Sequence, residues 1–271
     1  MSDLDKVFRG LKKKGAGGLI GYVTCGDPDP KLTPMIAEAL VKGGVDILEL
    51  GIPFSDPIAD GPAIQAASVR ALAAGTTPRI VLELARKIKK TNNVPVVILT
   101  YFNPIFKIGN ASFFKLANDC MVDGVVVPDL PVEEAKDYKK AASAWGIDTI
   151  FLAAPSTANQ RLGKIILYTS GFLYVVSHFG VTGERKEIAQ STIQLIKRVS
   201  RQVRGRVPIA VGFGVSKPNH VQSIIEAGAD GAIVGSAFVN IIQRNRSDTK
   251  KMLEEITVTA RKLKKATQTK S

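Results

Sequence analysis

Two carboxylates, Glu49 and Asp60, stand close together in the segment LELGIPFSDPIADGP. Glu49 lies within an apolar run, and a carboxyl group buried in such surroundings loses hydration, which favours its neutral form and raises its pKa. A Glu with a raised pKa can exchange protons with a substrate at neutral pH. The same pattern fits a Glu paired with an internal Lys or Arg, but no predicted strand core contains an obvious inward cation. The segment therefore favours acid/base catalysis by Glu49.

The loop that follows Glu49 carries Asp56 and Asp60 and is punctuated by three prolines: Pro53, Pro57 and Pro62. Because proline fixes φ, this polar loop is stiffer than its length suggests, and a stiff loop can aim a carboxylate. Either Asp also fits ordinary capping of a helix that begins near Pro62. The spacing leaves both roles open.

Two glycine-containing turns late in the chain are typical of a phosphate site: Gly212-Phe213-Gly214 and Gly235-Ser236. Glycine permits close approach to the backbone, and exposed N–H groups at the positive end of a helix starting at Ser236 attract a dianion. Gly180 and Gly183 are candidates for further donors, and the polar run at 182–187 predicts a mobile lid. Each glycine turn alone also fits an ordinary tight turn.

Apolar runs predict eight strands, at 19–25, 46–51, 95–101, 124–129, 148–153, 172–177, 208–213 and 231–235. Helical spacing of apolar residues fills the segments between them, and four junctions share an Asp between a helix end and a strand: Asp46, Asp123, Asp148 and Asp230. This alternation favours an α/β fold, a (β/α)8 TIM barrel, over an open doubly wound sheet. We expect an extra N-terminal helix around 3–14, a last helix around 248–266, extra short helices in the loops, and a single domain over 1–271.

In such a barrel, active sites form at the carboxyl ends of the strands. Glu49 lies near that end of the second predicted strand. Because side chains alternate along a strand, Glu49 faces the barrel interior with Ile47 and Gly51 if Leu48 and Leu50 face the helices. The alternation therefore points the candidate acid into the barrel.

The remaining chemistry-bearing residues indicate no metal site. His178 falls at the predicted barrel mouth, His220 falls on a helix expected to be exposed, and neither has a cluster of metal ligands around it. Cys25 and Cys120 are far apart in the sequence and without a CxxC pattern, so we expect both to be reduced and structural.

The net charge of +13, from 37 Lys+Arg and 24 Asp+Glu, indicates an anionic partner. The basic residues fall mostly late in predicted helices, where cations favour the helix dipole, so the pattern fits a small anion and no nucleic acid. The N-terminal residues lack the apolar region of a secretory signal, and no stretch reaches about 18 apolar residues. We therefore expect a cytoplasmic protein without a membrane partner.

These motifs together make the chain resemble the family of tryptophan synthase α subunits over nearly its whole length. The segments that carry the resemblance are LELGIPFSDPIADGPAIQ at 48–65, GYVTCGDP at 21–28, VPDLPVEE at 127–134, GVTG at 180–183, GFGVS at 212–216 and IVGSA at 233–237. The first is highly specific because it combines the carboxylates Glu49 and Asp60 with three prolines at fixed spacing. The glycine turns by themselves fit many phosphate-binding barrels.

The resemblance implies a lyase of tryptophan biosynthesis that cleaves indole-3-glycerol phosphate to indole and glyceraldehyde 3-phosphate by a retro-aldol reaction. It makes Glu49 the acid/base at indole C3 and the side-chain hydroxyl, and it makes Asp60 the group that accepts from the ring N–H. Thr182 of the lid would meet Asp60 on closure. The implied phosphate-binding residues are Gly183, Gly212, Gly214, Gly235 and Ser236. The implied indole pocket is lined by Tyr22, Leu99, Tyr101, Val126, Tyr174 and Phe213.

The family also implies a partner, a β subunit that consumes the indole in an α2β2 heterotetramer. The positions that match its contact loops are Pro53, Asp56, Asn103 and Asp129. Pyridoxal phosphate belongs to that β subunit, and no cofactor is expected in this chain. One departure lies in the lid, where many members have Arg-Ala and this chain has His178-Phe179. The family's pattern of lid closure is therefore not carried over to this chain.

Two rival interpretations remain. The first is another phosphate-binding barrel of the same pathway, such as an indole-glycerol-phosphate synthase or a phosphoribosyl isomerase, which would share the glycine turns but not the segment around Glu49. The second is a non-catalytic barrel that activates a β subunit or binds nucleic acid.

Overall fold

The structure is a computed structural model that describes residues 1–177 and 190–268. Its strands are β1 Gly18–Thr24, β2 Ile47–Gly51, β3 Val96–Leu99, β4 Gly124–Val126, β5 Asp148–Ile150, β6 Leu152–Ala153, β7 Leu173–Val176, β8 Ile209–Gly212 and β9 Gly231–Val234. All of them pair in parallel in the order β5-β4-β3-β2-β1-β9-β8-β7-β6. The two ends of this order, β5 and β6, are consecutive in the chain, so the sheet curls into a nearly closed barrel.

Helices connect the strands and surround them. They are α1 Asp3–Lys13, α2 Thr33–Lys42, α3 Pro62–Ala73, α4 Pro78–Thr91, α5 Phe102–Ile108, α6 Asn110–Asp119, α7 Lys136–Ala144, α8 Asn159–Tyr168, α9 Gln190–Val203, α10 Pro218–Glu226, α11 Ser236–Arg244 and α12 Thr249–Lys265. The extra helix before the first strand, the last helix and the short loop helices all match the sequence prediction. No helix in the described ranges is long and apolar enough to cross a membrane.

The predicted TIM barrel is confirmed, with one difference in the fifth predicted strand. Residues 148–153 form two short strands, because β5 pairs with β4 whereas β6 pairs with β7. The change of partner falls at Phe151, whose ring packs edge-on against Tyr138 and Tyr168 of the outer helices. This is the position at which the barrel closes.

Side-chain alternation divides the core into an outer and an inner part. Leu48 and Leu50 of β2 pack in the outer cluster between the barrel and its helices, whereas Ile47 packs in the inner cluster. Leu4 and Phe8 of α1 belong to the same inner cluster, so α1 closes the amino-terminal end of the barrel. The other end remains for Glu49, which faces inward as its neighbours require.

Three of the four Asp residues of the repeated helix–strand junction accept hydrogen bonds from backbone amides of the neighbouring strand, whereas the Oδ2 atom of the fourth, Asp148, has no hydrogen-bond partner in the described part of the chain. The carboxylates accept hydrogen bonds as follows: Asp46 from the N–H of Leu19 at 2.7 Å, Asp123 from Val96 at 2.7 Å and Asp230 from Ile209 at 2.8 Å. Two of them also bind a lysine late in a helix, since Lys264 lies 2.6 Å from Asp46 and Lys89 lies 2.8 Å from Asp123. The repeat therefore fixes the amino-terminal rim of the barrel, and it explains part of the basic charge at helix ends.

We expect Asp123→Ala to lower the free energy of unfolding by about 2 to 4 kcal/mol, because it leaves the Val96 amide without its acceptor and leaves the half-buried Lys89 ammonium with only Asp3, at 3.6 Å. Urea unfolding followed by circular dichroism measures the change. The matched control is Asp119→Ala, which removes an exposed pair with Lys115 and should cost less than about 0.5 kcal/mol. Equal effects of the two substitutions would contradict the role given to the repeat.

Candidate active site

A cavity of about 610 Å³ opens at the carboxyl ends of the strands. Its walls come from both carboxylate-bearing and glycine-rich loops: Tyr22, Glu49, Asp60, Gly61, Pro62, Ala63, Ile64, Leu99, Tyr174, Ser177, Phe213, Gly214, Ser216, His220, Ile233, Gly235, Ser236 and Asn240. A volume of this size suits a small organic ligand, and convergent polar groups in an otherwise apolar pocket are typical of an active site. The position agrees with the rule for α/β barrels.

Glu49 is the most deeply buried charged group of this cavity, with only 1% of its surface exposed. Within the described residues its Oε1 atom has no hydrogen-bond partner, and no cation pairs with it. Loss of hydration, reinforced by the nearby charge of Asp60, raises the pKa of Glu49 to about 8. The alternative of an ion-paired structural Glu is therefore excluded for this part of the chain. At neutral pH, Glu49 carries a proton that it can donate.

Asp60 reaches the same cavity from the proline-containing loop, and Tyr101 holds it there. The hydroxyl of Tyr101 accepts a hydrogen bond from the Ala59 N–H at 3.0 Å and is hydrogen-bonded to the Asp60 carboxylate. The ring of Tyr101 stacks on Phe54 with 5.1 Å between centroids. One buried tyrosine thus binds both ends of the loop.

The Tyr101 contact and partial burial act in opposite directions on Asp60. Burial raises the pKa of Asp60 above its ordinary value, and the hydrogen bond from Tyr101 offsets only part of this increase. The capping alternative does not apply, because α3 begins after Gly61 without any side-chain cap. The Asp60 carboxylate therefore does not cap α3, and it faces the cavity beside Glu49.

Two tyrosine rings form an apolar wall of the cavity, and glycines make room for them. A Cβ atom on Gly51 would lie 2.3 Å from the Tyr22 hydroxyl, and one on Gly212 would lie 2.4 Å from the Tyr174 hydroxyl. Burial raises the pKa of both phenols, so both remain neutral. Gly212 thus admits the Tyr174 ring and is itself outside the cavity lining.

Beside this tyrosine wall, backbone amides of the described chain cluster without acceptors. Phe213 and Gly214 both adopt left-handed backbone conformations, with φ of 71° and 75°. Among the described residues, no acceptor meets the backbone N–H of either one. The first turn of α11 begins next to them at Ser236, where helix geometry leaves further N–H groups unpaired. Such a cluster of amides at a helix N-terminus can bind a phosphate dianion.

The structure brings together most of the site residues expected from the sequence. The predicted residues that line the cavity are Tyr22, Glu49, Asp60, Leu99, Tyr174, Phe213, Gly214, Gly235 and Ser236. Tyr101, Val126 and Gly212 lie outside its lining, although Tyr101 acts on Asp60 from behind. The predicted residues Thr182 and Gly183, with Gly180, His178 and Phe179 of the lid expected from the sequence, lie outside the described residues.

Sequence reasoning missed four polar residues of the cavity: Ser177, Ser216, His220 and Asn240. The prediction that His220 lies on an exposed helix is wrong, since only 2% of its surface is exposed and its Nδ1 accepts from the Ser216 N–H at 3.4 Å. Helix periodicity could have shown this, because His220 shares a face of α10 with the apolar Ile224. Asn240 similarly lies one turn after Ser236.

The four positions predicted to face a partner differ in exposure. Asp56 and Asn103 are exposed, Asp129 is half-buried, and Pro53 is buried. Asp129 accepts a hydrogen bond from the Phe102 N–H at 2.8 Å and so completes the first turn of α5. The interface assignment stays a prediction. No group of three or more metal-ligating side chains occurs in the described part of the chain, and both cysteines are buried and unbridged.

A nearly closed parallel barrel with two coupled carboxylates, and with a cluster of amides at its carboxyl end that meet no acceptor among the described residues, defines an α/β-barrel enzyme of the acid/base class. The family model described as tryptophan synthase alpha chain matches residues 8–268 of this chain. The chain belongs to the tryptophan synthase alpha chain family. This membership confirms the resemblance, the fold and the lyase class inferred from the sequence.

Individual relatives support the same assignment. The tryptophan synthase alpha chain of Methanoregula boonei is 43% identical over 266 residues, which cover 98% of each chain. That of Methanopyrus kandleri is 48% identical over 242 residues, covering 89% of this chain and 86% of the relative. Among solved structures, a chain of the Pyrococcus furiosus tryptophan synthase α2β2 complex is 42% identical with a TM-score of 0.86, covering 92% and 98%. A Mycobacterium tuberculosis tryptophan synthase chain is 32% identical with a TM-score of 0.89, covering 99% of both.

The raised pKa of Glu49 predicts a pH-dependent cost to stability. Between the ordinary pKa of 4.5 and about 8, the folded protein holds a proton that the unfolded chain releases, so this residue lowers stability as pH rises through that window. We expect Glu49→Gln to stabilise the protein by on the order of a few kcal/mol at about pH 8 and by little at about pH 5. Urea midpoints at both pH values measure this.

The control for this prediction is Glu134→Gln, which changes an exposed carboxylate of the same type and should show no such pH-dependent gain. A stability difference between wild type and Glu49→Gln that stays constant from pH 5 to pH 8 would show that Glu49 ionises normally.

Proposed function

We propose that this chain cleaves indole-3-glycerol phosphate to indole and glyceraldehyde 3-phosphate, with Glu49 as the general acid/base and Asp60 as the anion beside the indole N–H. The observation that carries the proposal is the pair of coupled carboxylates in one cavity, one protonated at neutral pH and one held by a tyrosine hydroxyl. Family membership supplies the reaction class.

The chemistry of the cleavage requires two groups of this kind. Protonation of indole C3 turns the ring into an indolenine cation, and the bond from C3 to the glycerol carbon can then break with its electrons returning to the ring. The hydroxyl on that carbon loses its proton as it becomes the aldehyde. Glu49 donates the proton to C3 and recovers one from the hydroxyl, so no net proton is gained or lost. Asp60 stabilises the cation through the ring N–H.

The environments of the two carboxyl groups favour Glu49 as the acid and Asp60 as the anion. Glu49 is buried, and its Oε1 atom meets no hydrogen-bond partner among the described residues, so its neutral form is favoured. Asp60 is less buried and receives a hydrogen bond from Tyr101 that favours its anion. Neighbouring carboxyl groups whose environments push their pKa values apart commonly divide acid and base duties. The structure thus supports Asp60 as the anion independently of the resemblance.

The remaining cavity fits the two ends of the substrate. The apolar rings of Tyr22, Tyr174 and Phe213 with Leu99 suit a flat indole ring, and the amides at 213–214 and at the start of α11 suit the phosphate. Gly183 and Thr182 of the loop at 178–189 complete the phosphate site and the lid in this proposal.

The proposal includes a partner and a compartment. The similar Pyrococcus furiosus chain comes from a tryptophan synthase α2β2 complex with mutual activation. We propose the same assembly here, with Pro53, Asp56, Asn103 and Asp129 at the contact, in the cytoplasm. This chain needs no cofactor of its own, because pyridoxal phosphate belongs to the β subunit that consumes the indole. A single domain over residues 1–271 is part of the same proposal.

The direct test is to incubate the purified chain with indole-3-glycerol phosphate and to follow indole, alone and with a β subunit. Indole in either condition supports the lyase. Its absence in both would favour a non-catalytic barrel instead.

Replacing Glu49 with Gln should lower kcat by at least about a hundredfold, because the amide cannot transfer a proton to C3. Binding of a substrate analogue, measured by calorimetry, should persist because the cavity keeps its shape. Asp60→Asn should reduce kcat as well, since it removes the anion beside the ring. Glu134→Gln is the control and should leave turnover unchanged. A Glu49→Gln variant with half the wild-type rate would refute the acid/base role.

Turnover should also depend on pH in a defined direction. The acid form of Glu49 is required, and its pKa is raised to about 8, so kcat/KM should decline as pH increases through that value. A pH–rate profile of wild type between pH 6 and about 9.5 measures the decline. A profile that rises over this range would indicate that ionised Glu49 starts the reaction.

A further inference from the structure

Ser177 lies directly after β7, where 3% of its surface is exposed, and it lines the cavity. Its backbone N–H donates to the Gly212 carbonyl at 2.8 Å, which extends the β7–β8 pairing by one residue. Its hydroxyl donates to the same carbonyl at 2.5 Å and also contacts the carbonyl of Phe213. One serine side chain thus touches two successive carbonyls of the glycine-containing turn.

The turn that Ser177 contacts is conformationally unfavourable. Phe213 has a φ of 71°, a left-handed conformation in which the Cβ atom of a non-glycine residue crowds its own backbone. Such conformations persist when the surroundings determine them, and they cluster at ligand sites. The Phe213 ring contacts Tyr174 edge-on with 5.7 Å between centroids, but this contact fixes the ring and not the peptide planes. The backbone is held by Ser177.

By binding the two carbonyls, Ser177 also fixes the direction of the N–H groups in the same peptide units. A trans peptide unit is planar, and its N–H points opposite to its C=O. When the carbonyls of Gly212 and Phe213 face Ser177, the N–H groups of Phe213 and Gly214 face away from it. These two amides are the ones that meet no acceptor in the described part of the chain.

We propose that Ser177 is a positioning residue that holds the 212–214 turn in the conformation whose amides bind the substrate phosphate. This inference rests on the proposed function, since it concerns the phosphate end of the same cavity. Ser177 does not itself donate to the phosphate, because its single hydroxyl hydrogen is engaged by the turn carbonyls. It acts through the direction of the Phe213 and Gly214 amides.

The test is Ser177→Ala, measured for stability, for steady-state kinetics and for competitive inhibition by inorganic phosphate. We expect KM for indole-3-glycerol phosphate and the inhibition constant of phosphate to rise together by about tenfold, the loss expected for weakened hydrogen bonds to an anion. The affinity for indole, which lacks a phosphate, should remain within about twofold of wild type. A residue with a merely structural role would not separate phosphate affinity from indole affinity in this way.

Ser170→Ala is the matched control. Ser170 precedes β7 at the opposite end of the barrel, and its hydroxyl accepts from the Thr149 N–H at 3.0 Å and from Lys139. Its loss should lower stability and leave phosphate inhibition unchanged. Ser177→Cys is a second variant that removes the hydroxyl; its thiol retains the shape of the side chain and donates only weakly. If Ser177→Ala does not fold, the ratio of phosphate affinity to indole affinity in Ser177→Cys tests the role of Ser177.

The outcomes separate this inference from the proposed function. No indole from the wild-type chain, alone or with a β subunit, overturns the proposed reaction. The role of Ser177 is overturned if the wild type is active and a folded Ser177 variant still shows an inhibition constant for phosphate within about twofold of the wild-type value. A parallel loss of phosphate and indole affinity also overturns it, because general distortion of the cavity would then explain the effect.

Discussion

Glu49 is buried inside a nearly closed ring of parallel strands with no cation beside it in the described chain, and the chemistry of the cavity depends on this uncompensated burial. An ion pair would have held the carboxylate ionised and made it a structural group. Without one, desolvation and the charge of Asp60 keep Glu49 protonated at neutral pH. The strand places it at the carboxyl end of the barrel, where a substrate can reach it. The cost of burial and the ability to donate a proton have the same physical cause.

Favourable interactions at the other end of the barrel offset the cost of burying Glu49. At the amino-terminal rim, Asp46, Asp123 and Asp230 bind amides of neighbouring strands, and α1 fills the interior with Leu4 and Phe8. The carboxyl-terminal rim is arranged in the opposite way, since amides at the glycine turns meet no acceptor among the residues that the structure describes. Stability is concentrated at one end of the barrel, and binding groups are concentrated at the other, as is usual for this fold.

Two residues outside the predicted catalytic pair carry the organisation of the site. Tyr101 binds the Asp60 loop through its hydroxyl and its ring, and Ser177 binds the turn at 212–214 through its side chain. Both follow the end of a strand, so both are fixed by the barrel and act on the backbone of a neighbouring loop. A rigid element that orients a loop reduces the entropy that substrate binding would otherwise have to overcome.

The sequence by itself determined the barrel, the inward direction of Glu49 and the two glycine turns, because each follows from local periodicity, from side-chain alternation or from the conformational freedom of glycine. It also carried the family resemblance. Only the tertiary structure decided that Asp60 is held by Tyr101 instead of capping α3, that Gly212 makes room for Tyr174, and that Ser177 and His220 belong to the cavity. These contacts join residues far apart in the chain, 42 positions for Ala59 and Tyr101 and 35 for Ser177 and Gly212. The curvature and closure of the barrel bring these residues into contact, and no local sequence pattern records that geometry.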